Sequence, residues 1–125
     1  GYQNKEAIET DVLNEYPTAW IIPEGGSNAL GVKGCEELYR DEMAAYDWVA
    51  CAVGTGGTFS GVMKALKPHQ TAIGVTVLKA DLWKDIRTFA PTEKGILLDA
   101  YHFGGYAKMT LELVDFMNKQ YAETL

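Results

Sequence analysis

The chain is expected to be α/β, with a three-layer, mostly parallel open sheet of about four strands and helices on both faces. Three observations predict this. Apolar runs of strand length occur without polar alternation, the pattern of strands buried on both faces. Each is followed by apolar residues at helical spacing, the order that produces βαβ units. Glycine-rich turns, PEGGSN and GTGGT, stand twice between such a run and such a helix.

Residues 1–16 have only a shallow helical period and form a lead-in segment; residues 17–125 form a single domain. AWIIP at 19–23 is short, apolar and β-favouring, so it reads as the first strand. A helix is expected from Gly34, with Cys35, Leu38, Tyr39, Met43 and Tyr46 on its inner face. Residues 48–53 (WVACAV) form the second strand, and the helix after GTGGT carries Phe59, Val62, Met63 and Leu66 at i, i+3, i+4 and i+7. Pro68 lies just beyond its end. TAIGVTV at 71–77 is the third strand, followed by a short helix over Leu82, Ile86 and Phe89. Residues 91–95 form a loop, and residues 96–98 are a fourth strand or a helical turn. The last helix is expected to run from about Tyr106 to Tyr121. Because a lead-in replaces the first βα unit, an excerpt of a larger protein is expected, with a small free-standing domain as the other possibility.

With 47% hydrophobic and 22% charged residues, the composition is that of a globular domain. A formal charge of −6 disfavours a nucleic-acid partner. No apolar run approaches the ~20 residues that cross a bilayer, so no membrane association is expected. No leader pattern opens the chain, and a cytoplasmic location is expected. Cys35 and Cys51 lack metal-ligand spacing, so a buried reduced thiol at Cys51 and no metal site are expected.

GTGGT lies at the carboxyl end of a strand, where open parallel sheets bind ligands. Without side chains at Gly54, Gly56 and Gly57, backbone N–H groups are exposed beside the positive end of a helix dipole. Thr55 and Thr58 add hydroxyl donors. Gly54, Thr55, Gly56, Gly57 and Thr58 therefore form a candidate cradle for a phosphate monoester; the alternative is a tight turn with no ligand. The mononucleotide pattern fails for want of a lysine after the glycines. The dinucleotide pattern GxGxxG fails at Phe59, where its third glycine should stand. The second cluster, PEGGSNALGVKG at 23–34, should reach the same sheet edge. Its Gly31 and Gly34 are explained either by close backbone approach or by helix packing alone.

Together IIPEGGSNALGVKG (21–34), VACAVGTGGTFSG (49–61) and FGGYAK (103–108) resemble the pyridoxal-phosphate enzymes of the tryptophan-synthase-β type, or fold type II. More narrowly, they resemble the branch containing 1-aminocyclopropane-1-carboxylate deaminase and D-cysteine desulfhydrase. The resemblance covers nearly the whole chain in order. It implies that Thr55, Gly56, Gly57 and Thr58 hold the phosphate of pyridoxal 5′-phosphate, and that the catalytic Tyr106 opens the last helix facing a small amino-acid substrate. For Tyr106 alone, an amphipathic aromatic at the core edge remains the alternative.

The departures from the family pattern concern the reactive amine. The early Ser-x-x-Asn-Lys-like segment carrying the cofactor lysine is not present, nor is the late Pro-Val-Tyr-Thr-Gly-Lys-like segment. The residues fit the middle-to-late part of a protein two to three times longer. The parent is expected to be a lyase or deaminase, and the 125-residue piece to be inactive alone without covalently attached cofactor. Apolar surface left by missing neighbours makes a homo-oligomer the expected state. The competing reading is a non-enzymatic phosphate- or dinucleotide-binding module, with Asp81 as ribose acceptor.

Overall fold

The computed structural model describes residues 4–124. Three parallel strands, β1 (Trp48–Val53), β2 (Thr71–Thr76) and β3 (Gly95–Leu98), lie side by side in chain order. The helices are α1 (Lys5–Glu15), α2 (Ala29–Glu36), α3 (Gly57–Ala65), α4 (Trp83–Phe89) and α5 (Leu111–Thr124), with 3₁₀ turns at Glu24–Gly26 and Asp41–Ala45. α3 and α4 form the crossovers that parallel pairing requires.

The core lies between the sheet and α3. Its buried members include Val53 of β1, Ala72 of β2, Phe59, Val62 and Met63 of α3, and Ile86 of α4. The i, i+3, i+4 pattern of α3 therefore faces the strands as expected. Phe59 also meets Trp83 edge to face, with ring centroids 6.4 Å apart. α2 packs along the other side of α3.

The expectation of four strands needs correction. Residues 96–98 do form a strand, but residues 19–23 join no sheet and leave Trp20 and Ile22 exposed. β-propensity describes fit to a pleated surface and does not supply a pairing neighbour. Proline at 17 and 23 also limits the donors that segment offers.

The helical layers differ as well. Among the described residues, α3 is the helix packed most fully on the sheet, covering one face. On the other face, alternate residues Trp48, Ala50, Ala52, Ile96 and Leu98 are exposed, so the second covering layer is not seen. α1 buries no residue, as expected for a shallow period, and α5 buries none either.

The helix expected from Gly34 starts earlier and ends earlier. The Asn28 side chain accepts the Gly31 N–H at 2.8 Å and caps α2, which stops at Glu36. Leu38 and Tyr46 are consequently exposed. The chain from Tyr39 to Tyr46 is held instead by buried Gln70. Its Nε2 donates to the carbonyls of Met43 and Tyr46, both at 2.7 Å, and its Oε1 accepts from Tyr39 Oη at 2.7 Å and from the Lys67 N–H at 3.0 Å.

Candidate functional site

β1 ends at Val53, and the chain turns through Gly54–Thr55–Gly56 before α3 begins at Gly57. Gly56 makes the turn possible with φ of +90°, a left-handed conformation that favours glycine. A Cβ there would also stand 2.6 Å from Ile86 Cγ1, so α4 leaves no room for one. The Gly56 carbonyl faces into the helix, accepting from Ser60 N at 2.9 Å and Ser60 Oγ at 2.8 Å.

The amides of the turn are engaged differently from this carbonyl. Among the described residues, no loop or cap hydrogen bond uses an N–H of Gly54, Thr55, Gly56, Gly57, Thr58 or Phe59 as donor. Gly57, Thr58 and Phe59 occupy the first turn of α3, where the helix offers no acceptor. A Cβ built on Gly54 meets nothing within 4 Å, which leaves open approach on that side. The turn thus presents a row of uncommitted donors at a helix N-terminus, chemistry suited to an oxyanion.

These residues line a cleft of about 830 Å³, whose walls include Glu24, Gly25, Ala52, Val77, Leu78 and Tyr106. The PEGGSN loop therefore reaches the GTGGT edge as expected, although no sheet strand precedes it. Its closest tie is a hydroxyl pair, Ser27 Oγ to Thr55 Oγ1 at 2.6 Å. Cys35 Sγ lies 3.7 Å from Thr58 Oγ1. Gly31 is explained by its neighbour, since a Cβ there would stand 2.4 Å from the Gly26 carbonyl oxygen; nothing packs at Gly34.

Tyr106 shares the cleft but does not open a helix. It stands in a turn before α5, is 79% exposed, and is flanked by Phe103 and Ala107 at φ of 48° and 59°. Those positive φ values, with Gly104 and Gly105 at 96° and 113°, prevent helical continuation. His102 is the residue the sequence underplays: its Nδ1 accepts the Gly104 N–H at 3.0 Å, and the ring lines the adjoining cavity with Tyr106. Lys33 is exposed and does not line the cleft. Asp81 lies in a separate cavity, where its Oδ1 accepts the Trp83 N–H. Phe59, at the missing third glycine of the dinucleotide pattern, is a core residue. Among the described residues, no three His, Cys, Asp or Glu side chains are grouped to hold a metal, and no helix is long and apolar enough to cross a membrane.

No family model matches the chain. Curated relatives do. A putative 1-aminocyclopropane-1-carboxylate deaminase of Thermotoga maritima is 38% identical over 66 residues, covering 46% of the chain and 21% of that relative. The bifunctional D-cysteine desulfhydrase/1-aminocyclopropane-1-carboxylate deaminase, mitochondrial, of Arabidopsis thaliana is 28% identical over 142 aligned positions, covering 94% of the chain and 35% of that relative. A cysteine synthase of a Flavobacterium species is 33% identical over 85 residues, covering 62% of the chain and 27% of that relative. Each name contains a small amino acid. The chain spans about a third or less of the length of these relatives.

Proposed function

We propose that the chain is the cofactor-phosphate-binding part of a longer pyridoxal-phosphate-dependent lyase or deaminase acting on a small amino acid. Aminocyclopropane carboxylate and D-cysteine are the proposed substrates. The products are a 2-oxo acid and ammonia, with sulfide from D-cysteine. The observation that carries this reading is the row of uncommitted amides from Gly54 to Phe59 at the start of α3. The names of the relatives direct it to amino-acid chemistry.

The residues present suit the phosphate end of the cofactor. Amides of Gly54, Thr55, Gly56, Gly57 and Thr58 would hold the ester oxygens, with the threonine hydroxyls as further donors. Ala52, Val53, Val77 and Leu78 give the cleft an apolar wall for a flat ring. When bound, pyridoxal phosphate supplies an electron sink for the bonds at the amino-bearing carbon of the substrate. Tyr106, in the same cleft, would donate a hydrogen bond or move a proton at the substrate. Anchoring the phosphate fixes the position at which that transfer occurs.

The lysine segment lies outside these 125 residues in this reading, so the chain binds the cofactor without a covalent tether and does not turn over. Self-association belongs to the same proposal, because Trp48, Ile96 and Leu98 leave apolar surface on the open sheet face. Titration with pyridoxal phosphate and, separately, with NAD tests the ligand; saturable binding of the former alone is expected. Assay of the longer parent with D-cysteine and aminocyclopropane carboxylate tests the reaction. Formation of 2-oxo acid from neither, with cofactor bound, would defeat the enzymatic reading.

A further inference from the structure

Two turns that are distant in sequence are locked together at the cleft. Ser27 Oγ lies 2.6 Å from Thr55 Oγ1. A Cβ on Gly57 would stand 2.8 Å from Ser27 Oγ, so the start of α3 fits directly against this serine. In the reverse sense, Gly25, at φ of +64°, closes over Thr55, where a Cβ would stand 2.8 Å from Thr55 Cγ2 and nearer still to Oγ1. One hydroxyl pair and two missing side chains therefore set the Thr55 hydroxyl in place.

Each hydroxyl has one proton to donate and lone pairs to accept with, so either partner can be the donor in the pair itself. An oxyanion beside the GTGGT amides removes that freedom. If Thr55 donates its only proton to the anion, it must accept from Ser27. Ser27 then polarises the Thr55 O–H, because a hydroxyl that accepts a hydrogen bond donates a stronger one.

We propose that Ser27 is a positioning residue for anion binding. It acts through Thr55, donating to Thr55 Oγ1 so that the threonine hydroxyl is delivered to the ligand phosphate. This rests on the reading of the cleft as a phosphate site. It adds a residue from outside the glycine turn, and a direction to the hydrogen-bond chain Ser27 to Thr55 to phosphate.

The test is a double-mutant cycle on the 125-residue chain, with pyridoxal phosphate as the probe and calorimetric titration as the readout. Ser27→Ala is expected to weaken binding about three- to tenfold, the scale of one hydrogen bond. In a Thr55→Val background the same change should have no further effect, whereas in a Thr55→Ser background, which keeps the hydroxyl, the loss should return. Ser27→Cys, of similar volume with a poor donor, repeats the measurement if Ser27→Ala lowers the folded fraction seen by circular dichroism. Equal affinity of Ser27→Ala and wild type would overturn the proposal, as would equal losses in the threonine and valine backgrounds, the mark of a purely structural role. Wild-type chain that binds no pyridoxal phosphate would overturn the phosphate-site reading itself, and this inference with it.

Discussion

Gly61 of α3 lies directly against Val32 of α2: a Cβ on the glycine would stand 2.6 Å from the Val32 carbonyl oxygen and 2.5 Å from Cys35 Cβ. The two helices touch through backbone at this point, and neither contacting atom is the free end of a flexible side chain. α2 follows the PEGGSN turn, so this contact also sets how that turn meets the GTGGT edge.

Gly61→Ala should therefore push α2 away from α3. Overpacking at such a contact costs about 1–3 kcal/mol. Urea unfolding should show a lower midpoint at unchanged slope. A midpoint equal to wild type would mean that α2 shifts freely.

Gln70 supports the opposite end of the same layer, and its side chain has every donor and one acceptor oxygen fully engaged. Gln70→Leu would leave the Met43 and Tyr46 carbonyls and the Tyr39 hydroxyl without these partners. The expected cost is about 1–2 kcal/mol, because the groups Gln70 serves are only part-buried and water can reach some of them once it is gone. Gln70→Glu keeps the size but sets a carboxylate against two carbonyl oxygens. Its unfolding midpoint should fall further at neutral pH than in acid.

How much of this was legible in the sequence differs from element to element. β1, the glycine turn and α3 were readable because an apolar run, turn residues and a helical stripe all pointed to one arrangement. Residues 19–23 misled because apolar, β-branched composition says nothing about whether a neighbouring strand exists. The start of α5 at Leu111 was obscured by aromatic residues at helical spacing. The local signal was Thr110, whose Oγ1 accepts the Leu113 N–H at 3.2 Å. Asn28 gave the same kind of signal for α2. The Ser27–Thr55 pair had no local signature, because it joins residues 28 positions apart.

Gly56 gives a prediction in which fold and site are linked. Alanine there would have to hold φ near +90° and find space beside Ile86 Cγ1. A left-handed φ costs a side-chain-bearing residue about 1–3 kcal/mol. Gly56→Ala should thus lower the urea midpoint. It should also weaken pyridoxal-phosphate binding at least about tenfold, because relieving the strain moves the amides at the start of α3. Calorimetric titration in buffer where the variant remains folded separates the two effects; unchanged affinity would show that the turn does not present the ligand.

Cys51 links stability to pH. Cys51 is a free thiol only partly buried in β1, not fully buried as its apolar strand suggests. That partial burial pushes its pKa up, and electrostatic interaction with Cys35 adds in the same direction. As pH rises through the ordinary thiol range, the unfolded chain releases this proton while the folded chain retains it. The unfolded state then binds fewer protons, and stability falls with pH until the raised folded-state pKa is passed. Cys51→Ala removes that contribution, leaving only the cost of lost packing. Urea unfolding of both proteins from about pH 7 to about pH 10 should show wild type losing its advantage over the variant as pH increases. A difference that stays constant over that span would mean the thiol ionises as readily in the folded strand as in the unfolded chain.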